Sequence, residues 1–293
     1  MEFHLVLVLG LAMVVGLALG LLGGGGSILM VPLLTYVAGM EPKEAIAASL
    51  FVVGVTSLVS TLAHTRSGTV RWRTGLVFGT AGMAGAFMGG LAGGHLPGTL
   101  LMIAFALMMV ATAAAMLRAH GTSPEGKEPG RRHGTLSFWR IVVDGLVVGT
   151  VTGLVGAGGG FLVVPALVLL GGLAMPAAVG TSLLVIAMKS FAGFTGYLTT
   201  VSPDWALVAA VTAVAVAGSL VGALASSRVP EAALRKGFGV FVLIMGVLVL
   251  IQELPAQVIL GLAVIMAGLA GLVLLCRLIG PYCPLSLPLR PQA

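Results

Sequence analysis

Long apolar runs without charge, separated by short polar loops, form the main pattern of this chain. A helix needs roughly 20 consecutive apolar residues to cross a bilayer, and several runs reach this length. The pattern therefore predicts membrane-spanning helices. The predicted spans are residues 45–63, 74–94, 98–117, 177–198, 206–225 and 256–276.

The composition agrees with this pattern. Of the 293 residues, 58% are hydrophobic and 8% are charged, whereas about 25% of the residues of a soluble domain are charged. We therefore predict an all-α polytopic membrane protein. The first apolar run follows Glu2 and His4 rather than a basic segment, so we expect it to stay in the protein as a membrane segment and not to be a signal peptide.

The net charge of +6 does not indicate a nucleic-acid partner. Fourteen of the fifteen Lys and Arg residues lie outside the long apolar runs, and basic loops of this kind usually report membrane topology. The two cysteines, Cys276 and Cys283, are too few for a disulfide framework or a cysteine-based metal site. We expect no metal and no cofactor.

One unit occurs twice in the chain. A shift of 133 positions places GLLGGGGSILMVPLL (20–34) on GLVGAGGGFLVVPAL (153–167), with nine identical residues. Such self-similarity at a fixed offset indicates a structural repeat. The predicted organisation is a first transmembrane repeat, a basic linker, a second repeat, an extra helix and a tail. These segments are 1–117, 118–140, 141–251, 252–280 and 281–293.

The positive charges of matching loops predict that the two copies are inverted. The loop after His64 carries three arginines and its counterpart 199–205 carries none, whereas the loop 94–98 carries no Lys or Arg and its counterpart 227–236 carries three. Basic loops mark the cytoplasmic side. We therefore expect a multi-pass protein of the cell inner (plasma) membrane, with the N-terminus outside and the linker 118–140 cytoplasmic. Inverted repeats are typical of secondary transporters.

Inversion requires an odd number of crossings in each copy. Three long segments supply these crossings, so the opening stretches 5–38 and 141–171 must return to their starting side. We predict a hairpin of two short helices in each stretch, with the glycine run at its bend. Pro32 and Pro165 are expected to kink or end the second short helix.

The two glycine runs are predicted to break helices for a functional reason. Glycine tolerates many backbone conformations, and a broken helix within a membrane is tolerated only where it is buried in protein or lines a wet cavity. The first N–H groups of the new helix lack partners and attract anions. Glycines elsewhere are expected to allow close helix packing. The candidate binding residues at the breaks are Gly25, Gly26, Ser27, Gly158, Gly159 and Gly160.

A single lysine, Lys189, interrupts the apolar run 177–198 near its middle. A charge at that depth is costly and should face the protein interior, where it marks a candidate functional site. Because no central membrane stretch contains Asp or Glu, we expect an anionic substrate to be its partner. A packing role with a neutral lysine is the alternative. Hydroxyls matched by the repeat complete the candidate substrate-binding set: Ser49, Thr56, Ser57, Thr181, Ser182 and Ser190.

Four stretches together resemble the TauE/SafE-type sulfite exporter family. They are the two glycine stretches above, AASLFVVG in the first half and GTSLLVIAMKSFAGFTGYL in the second. The resemblance covers nearly the whole membrane part, including the duplication, and it implies movement of small sulfur-containing anions, such as sulfite or organosulfonates, across bacterial membranes. The family frequently carries an asparagine where this chain has Lys189, which leaves the substrate and any coupling ion open.

The sequence therefore predicts a permease, an exporter of a small sulfur-containing anion that works by alternating access. The alternatives are a passive anion channel and an uptake carrier coupled to protons or sodium. A membrane enzyme would need clustered His, Asp or Glu at membrane depth, so we expect no enzyme. The expected partners are the anion and membrane lipid, and a homo-oligomer is left open.

Overall fold

The computed structural model describes most of the two repeats. The described residues are 2–22, 25–66, 68, 70–118, 138–156, 159–160, 163–164, 167, 173, 175–225 and 231–253. By internal contacts the chain forms one unit over 1–250 and a second over 251–293, of which only 251–253 are described. The predicted extra helix and tail, and the linker between 119 and 137, lie outside the described residues. The predicted segment boundaries remain predictions.

Within the described residues every regular element is helical, which confirms the predicted all-α class. Five of these helices are long and apolar enough to cross a membrane. They are Glu2–Leu22, Pro42–Arg66, Trp72–His95, Met175–Tyr197 and Trp205–Ala225. The helices are α1 Glu2–Leu22, the irregular α2 over 25–37, α3 Pro42–Arg66, α4 Trp72–His95, α5 Gly98–Arg118, α6 Phe138–Val155, α7 Met175–Tyr197, α8 Trp205–Ala225 and α9 Glu231–Glu253.

The opening stretch contains the predicted break but not two short helices. α1 has 21 residues, enough to cross a bilayer, and only the returning arm α2 is short. That arm begins as a 3-10 helix at Gly25–Leu29, forms one α turn at Met30–Pro32 and ends as a π helix at Leu33–Val37. Pro32 has no backbone N–H to donate, and the α-helical hydrogen-bonding pattern ends at this residue.

Glycines bring helices of the two halves into backbone contact. A side-chain carbon added at Gly20 would overlap the carbonyl oxygen of Ser219, so α1 lies directly against α8. At the positions 133 residues later, Gly153 makes the same contact with Ala86, so α6 lies against α4. Helix α4 of the first half therefore packs against α6, the opening helix of the second half. Helix α8 of the second half packs in the same way against α1, the opening helix of the first. The same correspondence holds for Gly16 with Gly149, Gly85 with Gly218 and Gly89 with Gly222.

The equivalent helices α3 and α7 lie antiparallel at the centre of the molecule. The start of α3 is near the end of α7, because the backbone N–H of Asp204 donates to the Glu44 carboxylate over 3.1 Å. The segment after α3 is near the start of α7, because the Arg71 backbone N–H donates to the Thr181 hydroxyl over 2.9 Å. This is the relation that inverted copies require; which end faces the cytoplasm remains a prediction.

Candidate functional site: a lysine at the second glycine break

Lys189 lies in the middle of α7 and is buried, with 1% of its surface exposed. The helices α3, α4 and α6 pack around α7, so its side chain is enclosed by protein rather than lipid. Its aliphatic part lies over Gly82 of α4, where an added side-chain carbon would be 3.8 Å from the lysine Cδ. A carbon added there would make ordinary van der Waals contact with the lysine stem, so α4 and α7 meet closely at this point.

The ammonium of Lys189 reaches α6. Its Nζ donates to the Thr152 Oγ1 over 3.3 Å. The Thr152 hydroxyl donates in turn to the Gly149 carbonyl over 3.2 Å, which fixes the hydroxyl oxygen as an acceptor toward the lysine. An ammonium has three N–H donors, and Thr152 occupies one of them. No other hydrogen bond of this nitrogen occurs within the part of the chain that the structure describes.

The second glycine break closes over this ammonium. Gly159 has a φ of +63°, a left-handed conformation that residues with a side chain rarely adopt. A carbon added there would overlap the Lys189 Nζ and the Thr152 side chain. Glycine is therefore required at this position both for the turn and for the space that the ammonium occupies. The structure brings Lys189 and Gly159 together.

No carboxylate balances the lysine charge among the described residues. No ion pair with Lys189 occurs in that part of the chain. Asp144, on α6, is eight residues before Thr152, which corresponds to ~12 Å along the helix. Buried charges in proteins are normally paired. Lys189 is thus a buried basic side chain that has a hydroxyl partner but no acidic partner among the described residues.

The equivalent place in the first half contains no charge. There Gly26 packs on the backbone of Leu19, the counterpart of Thr152, whereas Gly159 lies against the Thr152 side chain. The counterpart of Lys189 is Thr56, whose hydroxyl donates to the Val52 carbonyl of its own helix over 2.8 Å. The two breaks therefore differ in local geometry, since Gly159 has a positive φ and Gly26 does not, and a lysine lies against the second break only.

Ser57 and Ser190 are two further predicted residues with open hydroxyls. They occupy equivalent positions on the facing helices α3 and α7, and both are buried. Neither Oγ has a hydrogen-bond partner among the described residues. Most buried polar groups are paired, so these two hydroxyls are available to a ligand or water at the α3–α7 interface. Ser190 directly follows Lys189 in the chain.

The other predicted hydroxyls are bonded within the protein. Ser49 donates to the Gly156 carbonyl over 2.9 Å and thereby holds the second break against α3. Ser182 donates to the Val179 carbonyl over 2.7 Å. Thr181 accepts the Arg71 N–H near the start of α7, about two turns from Lys189. Their positions indicate support of the fold rather than direct contact with the lysine pocket.

The remaining predicted residues lie at the glycine breaks themselves. Gly25, Gly26 and Ser27 belong to the 3-10 turn of α2, and the nearest atoms to Gly26 are backbone atoms of α1 rather than Lys189. Gly160 is helical, and Gly158 lies outside the described residues. A convergence of the two breaks on one anion remains a prediction.

Thr152 is the pocket residue that the sequence analysis missed. Its counterpart at the 133-residue offset is Leu19, so a hydroxyl stands where the other copy has an aliphatic side chain. Lys189 likewise stands opposite an uncharged residue, Thr56. A polar residue in one copy that aligns with an apolar residue in the other was the sequence signal that could have identified Thr152.

The pocket offers charge and hydrogen-bond donors, but no other chemistry. Among the described residues no group of three or more His, Cys, Asp or Glu side chains is placed to hold a metal ion. An ammonium, a hydroxyl and backbone groups can bind the oxygens of a small anion. The arrangement therefore suits anion binding.

Comparison with known proteins agrees with this reading. The sequence profile of the family described as "Sulfite exporter TauE/SafE" matches residues 8–249. A protein of Xylella fastidiosa (strain 9a5c), described as "Probable membrane transporter protein", is 32% identical over 84% of this chain and 95% of its own length. Bacillus subtilis YdhB, with the same description, is 28% identical over 80% of this chain and 96% of its own length. No solved structure matches the chain significantly.

Proposed function

Since this chain belongs to the sulfite exporter TauE/SafE family of membrane transporters, we propose that it carries a small sulfur-containing anion, such as sulfite or an organosulfonate, out of the cell. The observation that supports the proposal most directly is Lys189. It is a buried ammonium with one hydroxyl partner and no carboxylate partner among the described residues. An anionic substrate supplies the missing counter-charge.

The substrate binds at the second glycine break. Its oxygens accept hydrogen bonds from the free N–H groups of Lys189 and from the backbone near Gly159 and Gly160. The hydroxyls of Ser57 and Ser190 lie at the interface of α3 and α7, the two equivalent helices that move against each other when the site changes sides. This arrangement supports alternating access, because the lysine pocket lies between helices of both halves.

Export requires no coupling ion. The interior of the cell is negative, so one negative charge that leaves it gains roughly 2.3 kcal/mol per 100 mV. Uptake of the same anion would need a co-transported proton or sodium ion. The described residues around Lys189 include no carboxylate that could relay a proton, and this favours the export direction.

Flux into proteoliposomes tests the proposal. Wild-type protein should show saturable flux of sulfite or a sulfonate at a clamped membrane potential, and Lys189→Met should reduce it at least 100-fold, because the substituted chain lacks the counter-charge. Thr212→Val, which removes a buried hydroxyl of α8 that donates to the Val208 carbonyl of its own helix, is the control and should retain flux within about three-fold. A flux that rises linearly with concentration would indicate a passive channel instead. Undiminished flux in Lys189→Met would contradict the lysine site.

A further inference from the structure

Four aromatic side chains pack together at one end of the central helix pair. The ring centroid of Phe51, on α3, lies 5.3 Å from that of Phe194 and 5.5 Å from that of Trp205. Phe191 adds a further contact with Phe51, at 6.3 Å. Phe51 meets Phe191 and Trp205 edge to face, an arrangement that aromatic rings favour. This aromatic cluster of four residues joins α3 of the first half to α7 and α8 of the second.

The aromatic cluster lies between the centres of α3 and α7 and the end of the molecule at which α3 begins. Along α7, Phe191 and Phe194 follow Ser190 by one and four residues. Along α3, Phe51 precedes Ser57 by six residues, which corresponds to ~9 Å. Beyond the cluster, the segment after α7 is bonded to the start of α3. A path from the two central serines to this end therefore passes the rings.

The contact between α3 and α7 is tight at the aromatic cluster. A carbon added at Gly54 would be 3.2 Å from the ring of Phe191, and one added at Gly193 would be 3.3 Å from the Leu50 side chain. Both distances are shorter than ordinary van der Waals contacts of a side-chain carbon. An anion therefore cannot pass between the two helices at this level unless the rings move.

The equivalent end of the molecule lacks such a cluster. The residues at the offset of 133 positions are Leu184, Leu58, Thr61 and Trp72. Within the described ranges, Trp72 takes part in no ring contact. Thr61 donates its hydroxyl to the Ser57 carbonyl of its own helix. Since aromatic pairs stabilise a contact beyond the area that they bury, separation of α3 from α7 costs more at the aromatic end than at the other.

Resting on the alternating access of the proposed function, we infer that the aromatic cluster is the gate on one side of the membrane. It closes the path between the helix centres and the end at which α3 begins, and it keeps that end closed while the opposite end opens. In the predicted orientation the gate faces the outside. The empty protein then exposes its centre to the cytoplasm, the side from which an exporter takes up its substrate.

Thiol labelling of Ser190→Cys from the two sides of the membrane tests the gate. With Cys276 and Cys283 replaced, this thiol should react with a membrane-impermeant reagent at least ten-fold faster from the side of the loop after α3 than from the side of the loop after α7. Phe51→Leu removes the central ring and should raise the slower rate about ten-fold or more. Phe194→Leu, which removes a ring of α7, should act in the same direction.

Phe105→Leu is the matched control. Phe105 is a fully buried ring of α5 outside the aromatic cluster, so its removal loosens packing without altering the gate. Labelling of Ser190→Cys from the side of the loop after α7 should stay within about two-fold in this variant. The preference of the thiol for one side is measured with the cluster intact, so this part of the test does not depend on how the phenylalanine variants fold.

The outcomes distinguish this inference from the proposed function, because labelling requires no substrate. Equal labelling of Ser190→Cys from both sides, or no reaction from either side in any variant, would overturn the gate. Acceleration by Phe105→Leu as large as by Phe51→Leu would also overturn it and would leave the transport proposal intact. The expected labelling combined with no flux of any sulfur anion would support the gate and overturn the proposed substrate.

Discussion

Two neighbours, Thr152 and Gly159, accommodate the side chain of Lys189. Thr152 stands where the first half has Leu19 and supplies the acceptor for the ammonium. Gly159 supplies the space. The lysine pocket of the second half thus depends on residues at this break that the first half does not repeat, namely Thr152 and Lys189.

Gly159→Ala should destabilise the protein and disturb the lysine. A left-handed alanine costs about 1–2 kcal/mol, and the added methyl overlaps Lys189 and Thr152. Gly39→Ala is the control, because Gly39 has a φ of +74° with no atom within 4 Å of an added carbon, so that substitution introduces backbone strain alone. Thermal unfolding in detergent should show the larger loss for Gly159→Ala.

A double-mutant cycle isolates the contact with the ammonium. In a Lys189→Ala background the overlap with Nζ is absent, and Gly159→Ala should cost about 1 kcal/mol less than in the wild-type chain. Equal costs in both backgrounds would mean that the ammonium does not lie against Gly159.

Thr152→Val should weaken substrate binding. Valine has nearly the shape of threonine but removes the acceptor for Lys189, and loss of one partner of a buried hydrogen bond costs about 1–3 kcal/mol. We expect the KM for the anion to rise about ten-fold or more, while Thr152→Ser, which keeps the hydroxyl, remains near wild type. Equal loss in both variants, accompanied by lower thermal stability, would indicate a packing role only.

At the scale of elements, two helix pairs are in contact at glycines rather than through large side chains. α1 meets α8 and α6 meets α4 through backbone atoms, at positions that correspond across the repeat. Such small-residue interfaces drive helix association in membranes, where apolar side chains gain nothing by leaving lipid. The helices α3 and α7 lie between these two pairs and contribute the hydroxyls and the lysine.

Gly20→Val should disrupt the α1–α8 contact. The added side chain overlaps the backbone of Ser219, and overpacking of this kind costs about 1–3 kcal/mol. Gly10→Val, on the same helix but with no atom within 4 Å of an added carbon, is the matched control and should be tolerated. The fraction of folded protein after heating in detergent measures the difference. Similar behaviour of the two variants would argue against the contact.

At the scale of the molecule, the antiparallel relation of α3 and α7 places equivalent loops at opposite ends of the protein. Basic residues cluster in the loop after α3, and none occur in the loop after α7. Together these observations support opposite membrane orientations for the two halves.

Cysteine labelling in intact cells tests this orientation. With Cys276 and Cys283 replaced, Thr200→Cys should react with an impermeant thiol reagent from outside. Ser67→Cys, at the equivalent position of the first half, should react only after the membrane is permeabilised. Labelling of both positions from the same side would exclude inverted copies.

The sequence by itself determined the helical class, the break positions and the burial of Lys189. Each follows from a local property: the length of an apolar run against the bilayer thickness, the conformational freedom of glycine and the cost of a charge in hydrocarbon. The offset between copies also aligned equivalent residues before any contact was known.

Only the tertiary structure decided the partners. From the sequence we expected six hydroxyls of α3 and α7 to lie near Lys189. In the structure the lysine donates to Thr152 of α6 instead. Ser49 and Thr181 bond backbone groups of other segments, while Ser57 and Ser190 have no hydrogen-bond partner within the described ranges. The physical reason is that a hydroxyl pairs with whichever group packs against it, and this depends on how helices distant in sequence pack.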